Sequence, residues 1–94
     1  MVEDLKKGLS KKVSITNELG LHARAAARIA EVAQKANAKV WIVKNGDRAD
    51  ASSIIDILTL ACSKDTGITI MIDDQKDIDV LDSIEELFEE GFGE

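Results

Sequence analysis

The sequence predicts a two-layer α+β fold, an open-faced β-sandwich with the element order β-α-β-β-α-β-α. Three observations predict it: short segments of alternating polarity, longer segments with apolar residues at helical spacing, and an Asn-Gly pair between two strand-like segments. Three helices with apolar faces need a surface to cover, and the simplest surface is a four-stranded antiparallel sheet. We therefore expect all three helices on one face of the sheet and water on the other.

Four strands are predicted from their patterns. Residues 11–17, KKVSITN, alternate between polar and apolar side chains, which is typical of a half-buried strand. Residues 39–44, KVWIVK, are followed by Asn45-Gly46, a pair that favours a type I′ hairpin turn because it tolerates positive φ at both central positions. The short polar strand after this turn is expected at an exposed edge. Residues 68–72, ITIMI, complete the sheet with their isoleucines inward.

Three helices are predicted from composition and spacing. Residues 23–36 carry alanines at helical spacing, and these small side chains let a helix lie close to its neighbour. A pair of serines caps a second helix over residues 54–61, and an Asp pair caps a third over residues 75–90, which Gly91 stops. The buried face of the third helix is predicted to consist of Ile78, Leu81, Ile84, Leu87 and Phe88.

Composition and charge exclude several classes of function. The formal net charge of −6 over 94 residues disfavours general nucleic-acid binding, which needs a basic surface. A single histidine and a single cysteine, Cys62, do not make a zinc site or an internal disulfide, so we expect no metal, no cofactor and a buried, inert thiol. The apolar runs are too short to cross a bilayer, which favours a cytoplasmic protein without membrane insertion. We expect one domain over residues 11–94 after an N-terminal extension, residues 1–10.

His22, the only histidine, precedes the first predicted helix. The first N–H groups of a helix lack partners and carry partial positive charge, so a helix start binds phosphate well. Arg24 lies in the first turn and Arg28 one turn further on the same side, and the His22 ring could itself cap the helix. The positive helix end disfavours a protonated ring, and the neutral imidazole is a nucleophile. The arrangement suits a transient phosphoryl acceptor, although an ordinary surface or core histidine is the alternative from these residues alone.

The segment "GLHARAAARIA", residues 20–30, resembles the Gly-[Leu/Ile]-His-[Ala/Thr]-Arg-Pro-Ala signature of the HPr family. These are the histidine phosphocarrier proteins of the bacterial phosphotransferase system. A second segment, "SIIDILTL", residues 53–60, is similar to the regulatory-serine segment of the family and lies at the expected distance from the histidine. The family usually has proline at the position of Ala25; alanine still allows the helix to start, but the loop is expected to be less rigid.

The resemblance implies roles for individual residues. His22 would accept a phosphoryl group on Nδ1 from phospho-enzyme I and pass it to a histidine of an enzyme IIA domain. Arg24 would steady the phosphoryl group. Ser53 would correspond to the serine that an HPr kinase/phosphorylase modifies in some members, although a serine at a helix start is most often only a cap.

The resemblance also implies an exposed apolar docking surface beside the histidine. The residues expected at this surface are Leu21, Ala23, Arg24, Ala25, Arg28, Ile54, Ile55 and Leu58. We expect Ile55 and Leu58 to be partly exposed, and Ile57 and Leu60 or Ala61 to be buried. A small interface suits a monomeric carrier that must release each partner quickly.

Two function hypotheses of different classes follow. The first is a phosphocarrier without enzymatic turnover of its own, serving either sugar uptake or a regulatory phosphotransferase pathway. The second is a regulatory binding module switched by phosphorylation of Ser53. An unrelated domain with a bystander histidine is the third, least favoured interpretation.

Overall fold

A computed structural model of the protein describes residues 9–93, and its elements follow the predicted order. The strands and helices are β1 (Ser10–Ser14), α1 (Ala23–Ala33), β2 (Val40–Lys44), β3 (Asp47–Asp50), α2 (Ile54–Thr59), β4 (Gly67–Ile72) and α3 (Ile78–Glu89). Short 3-10 turns at Gln75–Asp77 and Gly91–Gly93 flank α3. The four strands form one antiparallel sheet in the order β1-β4-β2-β3. The predicted α+β architecture is therefore confirmed.

The two faces of the sheet differ in what covers them. The helices cover the face that carries Val40, Ile42, Ile68, Ile70 and Ile72, all of which are buried. The register places Trp41 opposite Met71 on the other face, where Met71 is exposed and the Arg48 guanidinium lies 4.4 Å from the centroid of the Trp41 ring. Asn45 and Gly46 have φ values of 49° and 87°, the positive values that a type I′ hairpin turn requires. The open face and the hairpin are as predicted.

Helix α1 lies against the core through small residues and ends earlier than predicted. Its buried residues are Ala25, Ala26, Ile29, Ala30 and Ala33. The helix was expected to extend to residue 36 but ends at Ala33, and Ala36 N donates to Ala33 O (3.1 Å) in a tighter turn. The chain turns away here because the next backbone N–H groups, of Asn37 and Ala38, donate to the side chain of Asp77 (2.8 and 3.0 Å).

Helix α2 has six residues, two fewer than predicted, and ends before Ala61. Ala61 has a φ of 52°, which leaves the helical region. The ammonium of Lys44 donates to the carbonyls of Leu60 (2.9 Å) and Ala61 (3.3 Å), so it satisfies two acceptors that a longer helix would have used internally.

Strand β1 begins one residue earlier than the predicted strand. Ser10 already belongs to β1, and Leu9 packs partly buried against the core. The carbonyl of Leu9 accepts a hydrogen bond from Ile72 N (2.9 Å). The rest of the predicted extension, residues 1–8, lies outside the described residues.

Helix α3 is entered through a 3-10 turn rather than directly. The Asp74 side chain accepts from Lys76 N (2.8 Å), whereas Asp73 accepts from the indole N–H of Trp41 (3.2 Å), so only the second member of the Asp pair caps. Four residues of the predicted apolar face are buried and Ile78 is half-buried. Gly91 follows the helix with a φ of 61°, as expected for a glycine stop.

Asp77 is a buried carboxylate that the sequence analysis did not predict. Only 2% of its surface is exposed, and it accepts hydrogen bonds from Asn37 N (2.8 Å), Asn37 Nδ2 (3.0 Å) and Ala38 N (3.0 Å). The backbone N–H of Asn37 makes the largest contribution to a lowered pKa of Asp77. The carboxylate thus fastens the loop after α1 to the start of α3.

The hydrogen bonds of Asp50 are expected to make the stability of the fold depend on pH. Its carboxylate accepts from Lys39 Nζ (2.6 Å) and from Ser52 Oγ (2.6 Å), and these bonds, led by that from Lys39, lower its pKa from 3.8 to about 2. A carboxyl whose pKa is lower in the folded state stabilises the fold above its unfolded pKa. This stabilisation disappears as the pH falls from about 4 to about 2.

We expect Asp50→Asn to flatten the loss of stability between pH 4 and pH 2, measured as the urea midpoint at each pH. At neutral pH we expect the variant to be about 1 kcal/mol less stable than the wild type. The effect is small because Lys39 is largely exposed and solvent screens its interaction with Asp50. Asp47→Asn, on the same strand and exposed, is the control for removing one carboxylate. An Asp50→Asn profile parallel to that of the wild type would contradict this account.

Candidate functional site

His22 occupies the N-cap position of α1 in an extended conformation, with φ −77° and ψ 177°. Its carbonyl accepts from Ala26 N (2.9 Å) and its N–H donates to Gly20 O (3.0 Å). The ring makes no capping hydrogen bond to the first turn, so the prediction that the ring caps the helix is wrong. The backbone of His22 begins the helix, and the side chain, half-buried, stands beside the helix start.

The loop before His22 is fastened to the segment that follows α2. Gly20 has a φ of 64°, and a Cβ at this position would lie 2.5 Å from Cys62 O. Leu21 N donates to the same carbonyl (2.9 Å), and Asn17 Nδ2 donates to Gly20 O (2.8 Å). Only glycine fits such a close backbone approach in this conformation. These bonds fix the peptide that carries His22.

The two arginines of the predicted site differ in their hydrogen bonding. Arg24 is exposed in the first turn of α1, and within residues 9–93 no hydrogen bond or ion pair holds its guanidinium. Arg28, by contrast, donates from Nη1 to the carbonyl of Phe92 (2.8 Å). Arg24 is therefore available to an anion at the helix start, whereas Arg28 is bound to the C-terminal turn.

Ser53 is the N-cap of α2, and its Oγ accepts from Asp56 N (3.2 Å). The neighbouring Ser52 donates from Oγ to Asp50 instead, so the two serines have separate roles. Ser53 thus has the capping role that the plainer interpretation gave it. Its side chain is half-buried at the start of the helix that packs against α1.

Two residues predicted at the docking surface lie in the core. Leu21 is 5% exposed and Ala25 is fully buried, so neither side chain is available to a partner, and their assignment to the surface is wrong. Ala25 lies on the side of α1 that faces the core, and Leu21 belongs to the loop that packs against Cys62. Closeness to the histidine in the sequence does not decide which side a residue faces.

The other predicted docking residues are exposed. Ala23, Arg24 and Arg28 lie on the outer side of α1. Ile55 is 76% exposed, and Ile54 and Leu58 are each 39% exposed. We call Ile54, Ile55 and Leu58 the α2 apolar patch; an apolar cluster that stays in contact with water is typical of an interaction site.

The buried side of α2 also follows the prediction. Ile57 is fully buried and Leu60 is 9% exposed, while Ala61 is exposed. Leu60, rather than Ala61, is therefore the second buried residue of α2.

Leu19 is an exposed residue near the site that the sequence analysis missed. It is 69% exposed and stands between Gly20 and Glu18, whose carboxylate pairs with Lys64 (2.6 Å). The signal was present: Leu19 is the only large apolar residue in the polar turn segment NELG.

Cys62 lies next to the loop that carries His22. Cys62 is buried, and burial raises the pKa of its thiol, as expected for an inert cysteine. Residues 9–93 contain no group of three or more His, Cys, Asp and Glu side chains that could hold a metal ion. Within the same residues, no helix is both long enough and apolar enough to span a bilayer.

Comparison with known proteins gives one consistent family. Residues 9–90 match the family described as "PTS HPr component phosphorylation site". The phosphocarrier protein HPr of Neisseria meningitidis serogroup A is 33% identical over 86 residues, covering 92% of this chain and 97% of the relative. The phosphocarrier protein NPr of Shewanella violacea is 36% identical, with 92% and 94% covered.

Solved structures agree with the sequence relatives. The crystal structure of the HPr-C-His protein from Thermoanaerobacter tengcongensis superposes with a TM-score of 0.81 at 30% identity, covering 90% of this chain and 96% of that one. Fold and sequence agree, and the chain belongs to the HPr family of phosphocarrier proteins.

Proposed function

We propose that this phosphocarrier accepts a phosphoryl group on His22 from phospho-enzyme I and passes it to a histidine of an enzyme IIA domain. The observation that carries the proposal is the position of His22 at the start of α1, together with the Arg24 guanidinium in the first turn, which no described residue holds. The matched family is itself described by a phosphorylation site. As a carrier of this family, the protein is proposed to act in the cytoplasm and to turn over no small molecule alone.

The chemistry needs a nucleophile and a place for negative charge. The lone pair of neutral His22 Nδ1 attacks phosphorus, a P–N bond forms, and the bond from phosphorus to the donor's histidine nitrogen breaks. The phosphohistidine carries about two negative charges. The first N–H groups of α1 and the Arg24 guanidinium stabilise this charge, and no acidic residue in the first turn opposes it. The reverse attack by a IIA histidine completes the transfer.

Mass spectrometry tests the proposal directly. Incubation with phosphoenolpyruvate and a cognate enzyme I is expected to give an acid-labile adduct of about 80 Da, the mass of one phosphoryl group. The His22→Ala variant, with enzyme I charged in the same mixture, is expected to give none. Absence of an adduct on the wild type, or an adduct that survives His22→Ala, would overturn the proposal.

We propose the α2 apolar patch as the surface that docks both partners. Ile55→Ser is expected to raise the KM for charging by enzyme I about tenfold with little change in kcat, because one central apolar contact is worth about 1–2 kcal/mol. Its side chain is 76% exposed, so the fold should not suffer. Met71→Thr, which changes an exposed apolar residue on the sheet face opposite the described helices, is the control. Equal KM values for the two variants would argue against docking through this patch.

Ser53 supports a secondary, regulatory role. A phosphate on Ser53 would lie at the start of α2, close to Asp56 and next to the α2 apolar patch, where added negative charge would oppose docking. Ser53→Ala is expected to lose about 1 kcal/mol of stability through the missing cap yet to keep normal transfer. A protein that binds its partners but never carries a phosphoryl group would instead favour the regulatory module.

A further inference from the structure

We infer that the C-terminal turn, Gly91–Gly93, and Arg28 form one unit that positions His22 for phosphoryl transfer. In this role Arg28 is a positioning residue rather than a docking residue. The catalytic part of this inference rests on the proposed function, while its structural part can be tested separately.

The backbone of the C-terminal turn has an unusual conformation that packing stabilises. Gly91, Phe92 and Gly93 have φ values of 61°, 58° and 80°, three consecutive left-handed residues. Such a conformation is disfavoured for a residue with a side chain. Phe92 adopts it while only 4% exposed, with its ring edge-to-face against Phe88 at 4.9 Å between centroids. Packing of the Phe92 ring in the core therefore fixes the direction of the turn.

One side of the turn is bound to α1. Arg28 Nη1 donates to Phe92 O (2.8 Å), and a Cβ added at Gly93 would come within 3.3 Å of the same nitrogen. The acceptor is a neutral carbonyl, so this hydrogen bond fixes the direction of the guanidinium without forming an ion pair. This contact joins the end of the chain to the helix whose first residue follows His22.

The other side of the turn lies against the start of the His22 loop. A Cβ added at Gly91 would be in van der Waals contact with Thr16 Oγ1 (3.7 Å) and Asn17 Cβ (3.8 Å). Asn17 Nδ2 donates to Gly20 O, and the same carbonyl accepts from His22 N. The turn therefore lies close to Asn17, and two hydrogen bonds to Gly20 O link Asn17 to the backbone of His22.

The C-terminal turn is thus hydrogen-bonded to the helix that follows His22 and lies close to the loop that precedes it. Transfer between two histidines requires an in-line approach, and small misplacements of reacting groups slow such steps strongly. Loosening the turn should therefore lower the rate of transfer at saturating partner, whereas a docking residue would change KM. A change in kcat would therefore indicate the inferred positioning role of Arg28, and a change in KM would indicate the docking role predicted from the sequence.

Two variants of Arg28 provide the kinetic test. Arg28→Met keeps the side-chain stem but loses the donor to Phe92 O, and we expect kcat for charging to fall about tenfold with KM within about twofold. Arg28→Lys retains one donor and is expected to recover most of the rate. Arg48→Met, on the sheet face opposite the described helices, is the control. A raised KM with unchanged kcat, or no change at all, would overturn the inference.

Hydrogen exchange provides a readout that does not depend on transfer. We expect Arg28→Met and Phe92→Ala to speed exchange of the Leu21 and His22 amide protons at least about fivefold, with β2 and β4 unchanged. If the wild type carries no phosphoryl group but these protons respond, the proposed function fails and the structural part of the inference, the coupling of the turn to the His22 loop, stands. If the wild type is charged normally and neither variant alters exchange or kcat, the positioning role fails alone. If Phe92→Ala does not fold, the result for Arg28→Met alone decides the test.

Discussion

Arg24→Met is expected to slow charging of the protein by enzyme I about 100-fold, the loss typical of removing one donor that stabilises developing charge. The guanidinium is exposed at the start of α1, and within the described residues nothing competes for it. Because the phosphoryl oxygens take up charge during transfer and not during docking, the loss should appear in kcat, measured by rapid quench at saturating phospho-enzyme I. Arg24→Lys should be intermediate, since an ammonium is a point charge without the planar fork of donors.

A matched arginine on the opposite side of the molecule provides the control for Arg24. Arg48 is also exposed, but it lies over the Trp41 ring on the sheet face that none of the described helices covers. Arg48→Met is expected to leave charging unchanged while it removes the same charge from the protein. A similar slowing by both variants would show that net charge, and not a local contact with the phosphoryl group, explains the effect of Arg24.

The order and type of the elements could be predicted from local patterns because those patterns have local physical causes. Alternation along KKVSITN, the Asn45-Gly46 pair and the alanine spacing of α1 each express a preference of a few neighbouring residues. The same holds for the catalytic candidates, because His22 and Arg24 lie within one turn of each other. The family resemblance then added roles to residues that the pattern had already brought together.

The features that could not be predicted depend on distant partners. The early end of α1 follows from Asp77, which binds Asn37 across 40 residues of chain, and the binding of Arg28 to Phe92 spans 64 residues. No local pattern reveals such pairs. The wrong placement of Leu21 and Ala25 has a related cause, because burial is set by what packs against the loop and α1 and not by distance along the chain from His22.

Gly20→Ala is expected to destabilise the protein by about 3 kcal/mol and to disturb the histidine loop. A left-handed φ of 64° costs alanine about 1–2 kcal/mol. The added Cβ would also lie 2.5 Å from Cys62 O and 2.9 Å from Ser63 Cα, which are backbone atoms, so the two loops must separate. Separation weakens the bond from Leu21 N to Cys62 O, worth about 1 kcal/mol.

Gly46→Ala is the control that separates the two causes of the destabilisation expected for Gly20→Ala, the strain of a left-handed backbone and the close approach of the two loops. Gly46 has a φ of 87°, but a Cβ there would meet no atom within 4 Å, so we expect a loss of only about 1–2 kcal/mol, the left-handed strain alone. Urea unfolding of both variants gives the difference, and charging by enzyme I should be slowed in Gly20→Ala alone, because Gly20 O accepts the N–H of His22. Equal losses of stability would mean that the approach of the two loops is not tight. A normal rate of charging by enzyme I in a folded Gly20→Ala protein would mean that the position of His22 does not depend on this close approach.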